Sequence, residues 1–581
     1  MTFRSAHKAP EKCSHNELVE DTKSIPDRLI GRRAWLKLAP LLSAALQAQT
    51  PPEPAAKALQ LSRETMREVF RASGLVFSDA EIDMLLPAVN TALDGYRQLR
   101  AIAVPLDTEP ATHFQPLLPD ALPRRHYRAS KLPPLRRHGS VDELAYLPAV
   151  QLAHLLRTRQ ITSLELTRMY LARLRKFGPT LHCVVTLTED MALAQAAAAD
   201  RLLRARRHAS PLLGVPWGAK DLFATKGIPT TWGAEPYRDQ VLDTDATVVE
   251  RLHRAGAVML GKLSMGSLAQ GGLWFGGLTR NPWKPEETSS GSSAGSASAC
   301  AAGLVGFALG TETLGSILSP STRCGVAGLR PTYGRISRFG AMGLSWSMDK
   351  VGPIARSIED CALLLNQLHG PDGRDTTVRD IAFHFDARRS IEHLRVGVVQ
   401  AEFDQAKPED KPVYAKALDD LRRAGVAWQS VELPEFHAGP LSIILDAEAA
   451  TAFDDLTRDR GIDRLTGQAP SDWPNQFRTA RAIPAVEYLR AQRARTLLMH
   501  RFGEYLKQWD VLVTPYNSAL LLLTNLTGHP QVGVPCGLSD GRPRSLVFTG
   551  HLYDEGTPAR VALAYEQATP WHRLQPPGFE A

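Results

Sequence analysis

The sequence predicts an α/β protein: one large mixed β-sheet flanked by helices, preceded by an N-terminal helical extension. From about Val141 onward, amphipathic helical patterns alternate with short apolar runs rich in β-branched residues. Hydrophobic content of 44% and charged content of 22% are ordinary for a globular chain. No apolar run approaches the roughly 18 residues that a membrane-spanning helix needs. No internal repeat divides the 581 residues.

The elements follow in order. Residues 1–48 hold eight Lys/Arg against five Asp/Glu, which accounts for three of the seven net positive charges. Within them Gly31-Arg32-Arg33-Ala34-Trp35-Leu36-Lys37 precedes the apolar stretch LAPLLSAALQA. That order resembles a twin-arginine export signal, and the expectation is a periplasmic or secreted protein with no membrane insertion after export. A disordered cytoplasmic tail is the alternative. Residues 49–140 read as a helical extension and a connector. SRETMREVFRASG and DAEIDMLLPAVNTALDGYRQLRAI are helices, the second capped by Ser78, Asp79 and Glu81. A Pro- and Arg-rich segment follows and reads as a surface connector. Residues 141–577 form the expected main domain. Its helices include DELAYLPAVQLAHLLRTRQ, SLELTRMYLARLRKFG and DMALAQAAAADRLLRARR. Its strands include HCVVTLT, GVPWGAK, AVMLGKLS, RVGVVQ, VAWQSVEL, WDVLVTP, QVGVPC and RSLVFTG.

Several function classes are disfavoured at this level. The charge left outside the tail is too small to suggest a nucleic-acid partner. Cys13, Cys183, Cys300, Cys324, Cys361 and Cys536 are scattered singly, without the close pairs of a zinc site or disulfide framework. They read as core residues, and neither a metal nor an organic cofactor is expected.

Ser289 to Pro331 is the most informative stretch. It carries twelve serines and threonines, little charge, and glycine where the backbone must bend, but its insert ACAAGLVGFALG is core-forming and unlike a linker. So many hydroxyls in so apolar a setting suggest a hydrogen-bonded reaction centre. Acyl chemistry needs a nucleophile, a base and amides aimed at a developing oxyanion. Ser292 and Ser293 lie in a first glycine loop, and Ser316 in a second. The turn Thr313-Leu314-Gly315-Ser316 could direct consecutive N–H groups at one anion, which favours Ser316 as the nucleophile. No histidine has triad spacing; His182, His529 and His551 read as structural. Lys220, delivered by an apolar strand into a glycine-bounded loop, is the better base, because burial lets an amine be neutral near pH 7. Taken alone, it could equally pair with a carboxylate such as Asp221.

GVPWGAKD, SGSSAGS and GTETLGSILSPS together resemble the amidase signature family, over roughly Val141 to Pro577. The steps of 72 residues from Lys220 to Ser292 and 24 to Ser316 fit that family's order. The resemblance implies that Ser316 is the acyl-forming nucleophile and that Ser292, after a cis peptide bond from Gly291, relays its proton. Lys220 is then the base, and Ser293 supports the site by hydrogen bonding. Thr313, Leu314 and Gly315 contribute to the oxyanion hole or substrate binding. The implied activity is hydrolysis of a small-molecule or peptide carboxamide to acid plus ammonia or amine. Two other readings share the fold: the A subunit of a glutamine-dependent aminoacyl-tRNA amidotransferase, and a non-catalytic binding protein.

The chain departs from the family's common Asp-x-Gly-Gly-Ser-Ile-Arg. Here Glu312, Leu314 and Leu318 occupy the first, third and last places, a variant closer to the peptide amidase branch. Without that arginine, Glu312 needs another partner. Three chance motifs are set aside. Gly291–Gly295 fits a nucleophile elbow centred on Ser293, but no buried strand precedes it. Gly256–Lys262 lacks the Ser/Thr of a P-loop, and Ser347–Lys350 lacks the companions of its SxxK motif. Trp217, Trp232, Trp274 and Phe275 are candidates for the pocket wall and equally for the core.

Overall fold

The computed structural model describes residues 60–102, 126–132, 135, 139–207 and 210–580. The twin-arginine segment and most of the connector lie outside the described residues. From Leu61 onward the chain forms one compact unit.

An 11-stranded mixed sheet runs through that unit. In chain order its strands are β1 (Val184–Leu187), β2 (Pro216–Lys220), β3 (Val258–Leu263), β4 (Phe307–Glu312), β5 (Ala327–Arg330) and β6 (Lys350–Ala355). They continue with β7 (Val396–Val399), β8 (Trp428–Val431), β9 (Val511–Pro515), β10 (Gln531–Ser539) and β11 (Arg542–Thr549). The spatial order is β8-β7-β9-β11-β10-β5-β6-β4-β2-β3-β1. Each strand anticipated from the sequence is present. The central strands are buried along their whole length, which explains why they read as continuous apolar runs and not as alternating ones.

Helix formation follows local signals. Two helices of the extension, α1 (Arg63–Ala72) and α2 (Asp79–Ala101), are both capped by serines, and Ser78 forms a capping box with Glu81. Their apolar faces bury Met66, Phe70, Ile82 and Leu85 together, with Phe77 of the connecting loop. Farther along α2, Tyr96 and Leu99 enter a cluster with Ala491, Ala494 and Leu498 of the body. α3 (Ser163–Leu181) opens on a second capping box, Thr162 with Glu165. The helix expected over DELAYLPAVQLAHLLRTRQ is interrupted: a short 3-10 turn, Asp142–Tyr146, precedes a separate helix, Ala149–Arg157. Pro148 between them lacks the N–H a continuous helix would need and takes the N-cap position instead. Among the described residues, no helix is long and apolar enough to cross a membrane.

Strand direction places the site. β4 runs parallel to β2, β2 parallel to β3, and β6 antiparallel to β4. The C-terminal ends of β2 and β4 therefore share one end of the sheet with the start of β6. Lys220, Glu312 and Lys350 are the residues at those ends.

Candidate active site

The serine-rich stretch folds as two loops at this end of the sheet. The first runs from Ser289 into α4 (Ala294–Ala301), with Ser293 as N-cap and a cis peptide bond between Gly291 and Ser292. Glycine is required at 291: a Cβ there would lie 1.8 Å from the Gly271 carbonyl oxygen. The second loop leaves β4 at Glu312 and enters α5 (Leu318–Cys324). Gly315 turns it with φ of +85°, a conformation that side-chain-bearing residues rarely adopt. The Ser293 N–H donates to the Ser316 carbonyl at 3.2 Å and ties the two loops together.

Lys220 lies fully buried at the end of β2. Its Nζ is 2.9 Å from Ser292 Oγ, 3.0 Å from Ser293 Oγ and 2.8 Å from Thr311 Oγ1. Among the described residues, no carboxylate pairs with it. Burial pushes the amine down to about 7, against the opposing pull of Asp349 and Glu312. Ser293 is held in turn by the Thr311 backbone: its hydroxyl donates to the carbonyl at 3.1 Å and accepts from the N–H at 3.2 Å. Its hydroxyl is thus committed beside the lysine.

Asp221, the neighbour that might have paired with Lys220, pairs instead with Lys262 of β3 at 3.1 Å. Its carboxylate also accepts from the Thr231 N–H at 3.0 Å and from the Thr231 hydroxyl. Lys262 further donates to Phe223 O and Thr230 Oγ1. The lysine of the P-loop-like segment is a buried structural cation.

The partner that Glu312 needs is Arg330, at the end of β5. Its guanidinium meets the carboxylate at 2.9 Å, and both side chains are fully buried. Asn525 Nδ2 adds a bond at 3.0 Å. The N–H groups of Ile317 and Leu318 donate to the same carboxylate at 2.9 and 3.1 Å. Burial alone would raise this carboxyl, but Arg330, Lys350 and Asn525 hold it down at about 2. Glu312 therefore clamps the chain just after Ser316. The turn itself is left open: among the described residues, none accepts a hydrogen bond from the N–H of Leu314, Gly315 or Ser316. Three donors left unused around a positive-φ glycine are suited to an oxyanion. Thr313 donates to Asp349 at 2.6 Å, and the Leu314 side chain is 37% exposed.

The other candidates lie elsewhere. His529 is buried, bonded to Thr527 at 2.8 Å and depressed to about 3 chiefly by burial. His182 and His551 bond to the carbonyls of Gly276 and Trp509. Trp217 stacks on Phe307 in the core, Trp274 bonds to the His182 carbonyl and Trp232 packs on Tyr237. Phe275 lies edge-on to Trp274. Cys183, Cys300, Cys324, Cys361 and Cys536 are buried and unpaired. Among the described residues, no group of three or more His, Cys, Asp or Glu side chains is arranged to hold a metal ion.

This sheet order, with a lysine and two serine loops at one end, defines the class. The family profile described as Amidase matches residues 165–557, and the chain belongs to the amidase signature family. Its relatives include the A subunit of the glutamyl-tRNA(Gln) amidotransferase of Thermosynechococcus vestitus, 34% identical over 469 residues, covering 72% of this chain and 97% of that one. The corresponding protein of Methylococcus capsulatus is 34% identical, covering 74% and 98%. Among solved structures, the native peptide amidase of Stenotrophomonas maltophilia superposes with a TM-score of 0.67 at 30% identity, covering 75% of this chain and 99% of that one. An amidase family protein from Bacillus anthracis gives a TM-score of 0.67 at 28% identity, covering 75% and 93%.

Proposed function

We propose that the chain hydrolyses a carboxamide C–N bond through an acyl-enzyme on Ser316. The observation that carries this reading is Lys220, a buried amine surrounded by hydroxyls and shifted to about 7. A neutral amine accepts the Ser292 proton as Ser292 takes that of Ser316. Ser316 Oγ then bonds to the carbonyl carbon, and the N–H groups of the 314–316 turn stabilise the oxyanion. Collapse breaks the C–N bond, and the relay returns the proton to the leaving nitrogen. Water repeats the sequence on the acyl-enzyme and releases the acid. Ser316→Ala should lower ammonia release from a primary amide by at least about 10³-fold while the protein stays folded. Near-normal turnover in that variant would remove Ser316 from the role.

A second reading is supported by the curated relatives, which are amidotransferase A subunits matched over nearly their full length. In it, this chain would release ammonia from glutamine within a complex. Ammonia release from a panel of amides and from L-glutamine, with and without candidate partner proteins, separates the two. Glutamine hydrolysis that appears only with partners favours the second. Export through Arg32–Arg33 is part of the first reading, and cell fractionation with an Arg32→Lys/Arg33→Lys variant tests it.

A further inference from the structure

A cavity of about 390 Å³ adjoins the serine loops, within the roughly 300–1,000 Å³ typical of small-molecule sites. Two of its wall residues belong to the site already described, and a third adjoins it. Thr311 holds Lys220, Thr313 begins the Ser316 turn, and Ala269 lies on the loop whose Gly266 N–H donates to the Ser292 carbonyl. The apolar part of the lining is Leu222, Phe339, Met342, Leu344 and Trp346. Two of these are unusually open for large hydrophobic side chains, Trp346 at 52% and Phe339 at 37%.

Most of the charges that reach the cavity surface are already committed. Arg338 pairs with Asp375 at 3.0 Å, and Arg374 pairs with Glu250 at 2.7 Å. Asp349 accepts from Thr313 Oγ1 and from the N–H groups of Leu344 and Ser345 at 2.6, 2.8 and 3.0 Å. Lys350 has no hydrogen-bond partner among the described residues, but its amine is buried with almost no surface of its own to offer a ligand. A free amino acid carries both an ammonium and a carboxylate, and each needs an uncommitted counter-charge when it leaves water. This wall offers neither.

Resting on the amide-hydrolase reading, we infer that the cavity is the specificity subsite of that reaction and takes an uncharged apolar group of the substrate, such as a phenyl ring or short alkyl chain. The loop that carries Trp346 is fixed by its backbone. The Trp346 carbonyl accepts from Tyr333 Oη at 2.5 Å and from Arg338 Nη1 at 2.7 Å, while the residue lines the cavity and stays half exposed.

The test compares 3-phenylpropionamide, propionamide and L-glutamine on the full chain and on Trp346→Ala and Phe339→Ala, with thermal melts confirming folding. Burying a phenyl group against this wall should favour 3-phenylpropionamide over propionamide by about 10- to 100-fold in kcat/KM. Trp346→Ala should remove most of that preference by raising KM for 3-phenylpropionamide far more than for propionamide; should it fail to fold, Phe339→Ala carries the comparison. Equal kcat/KM for the two amides, a preference that survives in both folded variants, or a preference for glutamine would overturn the subsite. Calorimetry on Ser316→Ala separates the two claims. Trp346-dependent binding of 3-phenylpropionamide with no amide hydrolysed by the parent keeps the subsite and retires the hydrolase. Hydrolysis of both amides with equal efficiency does the reverse.

Discussion

Two lysines are buried side by side on adjacent strands, and they are held in opposite ways. Lys262 has a carboxylate at 3.1 Å, so its charge is matched inside the protein. Lys220 has three hydroxyls within 3.0 Å and, among the described residues, no carboxylate partner. Burial lowers both amines, but only at Lys262 does a directly bonded acid oppose it. A buried lysine with a paired acid is a structural cation. One surrounded by hydroxyls can lose and regain a proton near neutral pH, which is what a general base requires.

The sharpest way to break the comparison is to remove each amine. Lys220→Ala is expected to lower kcat by at least about 10³-fold while the melting profile stays cooperative, because only hydroxyls lose a partner. Amide hydrolysis within tenfold of the parent would retire Lys220 as the base. Lys262→Met should do the converse. It leaves Asp221 buried without its cation, at a cost of about 3–5 kcal/mol in denaturant unfolding. Adding Asp221→Leu should recover much of that loss, and a double variant no more stable than the single would break the pairing argument.

A smaller effect is expected at the clamp behind Ser316, the proposed nucleophile. Glu312→Gln leaves Arg330 without its counter-charge and weakens the bonds to Ile317 and Leu318. As Glu312 positions the turn without touching substrate, kcat should fall by about 10- to 100-fold with KM little changed. Arg330→Lys should retain more activity than Arg330→Met, and equal losses would argue against a charge-based clamp. The mildest test is pH. Below about 7 the Lys220 amine is protonated and cannot accept a proton, so kcat should fall about tenfold per unit on the acid side and level off above it. A profile still climbing toward pH 10 would mean an ordinary lysine.

Much of this was legible in the sequence because the chemistry sits in local motifs. GAKD, SGSSAGS and TLGSI carry their own glycines and hydroxyls, and strands buried on both faces announced the sheet. The pairings were not legible. Asp221 adjoins Lys220 in sequence, yet successive residues of an extended chain point to opposite faces, and the register that sets Ala219 beside Lys262 puts Asp221 on the Lys262 side. Arg330 lies 18 residues beyond Glu312 on a strand separated from β4 by β6, so nothing local marks it as a partner. The aromatics of the cavity were missed for the same reason. Trp217 and Trp274 stand closer to the motifs in sequence, while Phe339 and Trp346 reach the cavity on a loop between β5 and β6.

The sequence by itself determined the groups from which the proposed chemistry is built: the two serine loops, the lysine, and the glycines that let backbone approach backbone. Only the tertiary structure decided which charges are neutralised and which amine stays poised, because counter-charges are assigned by strand order and register, and these depend on the packing of the whole sheet.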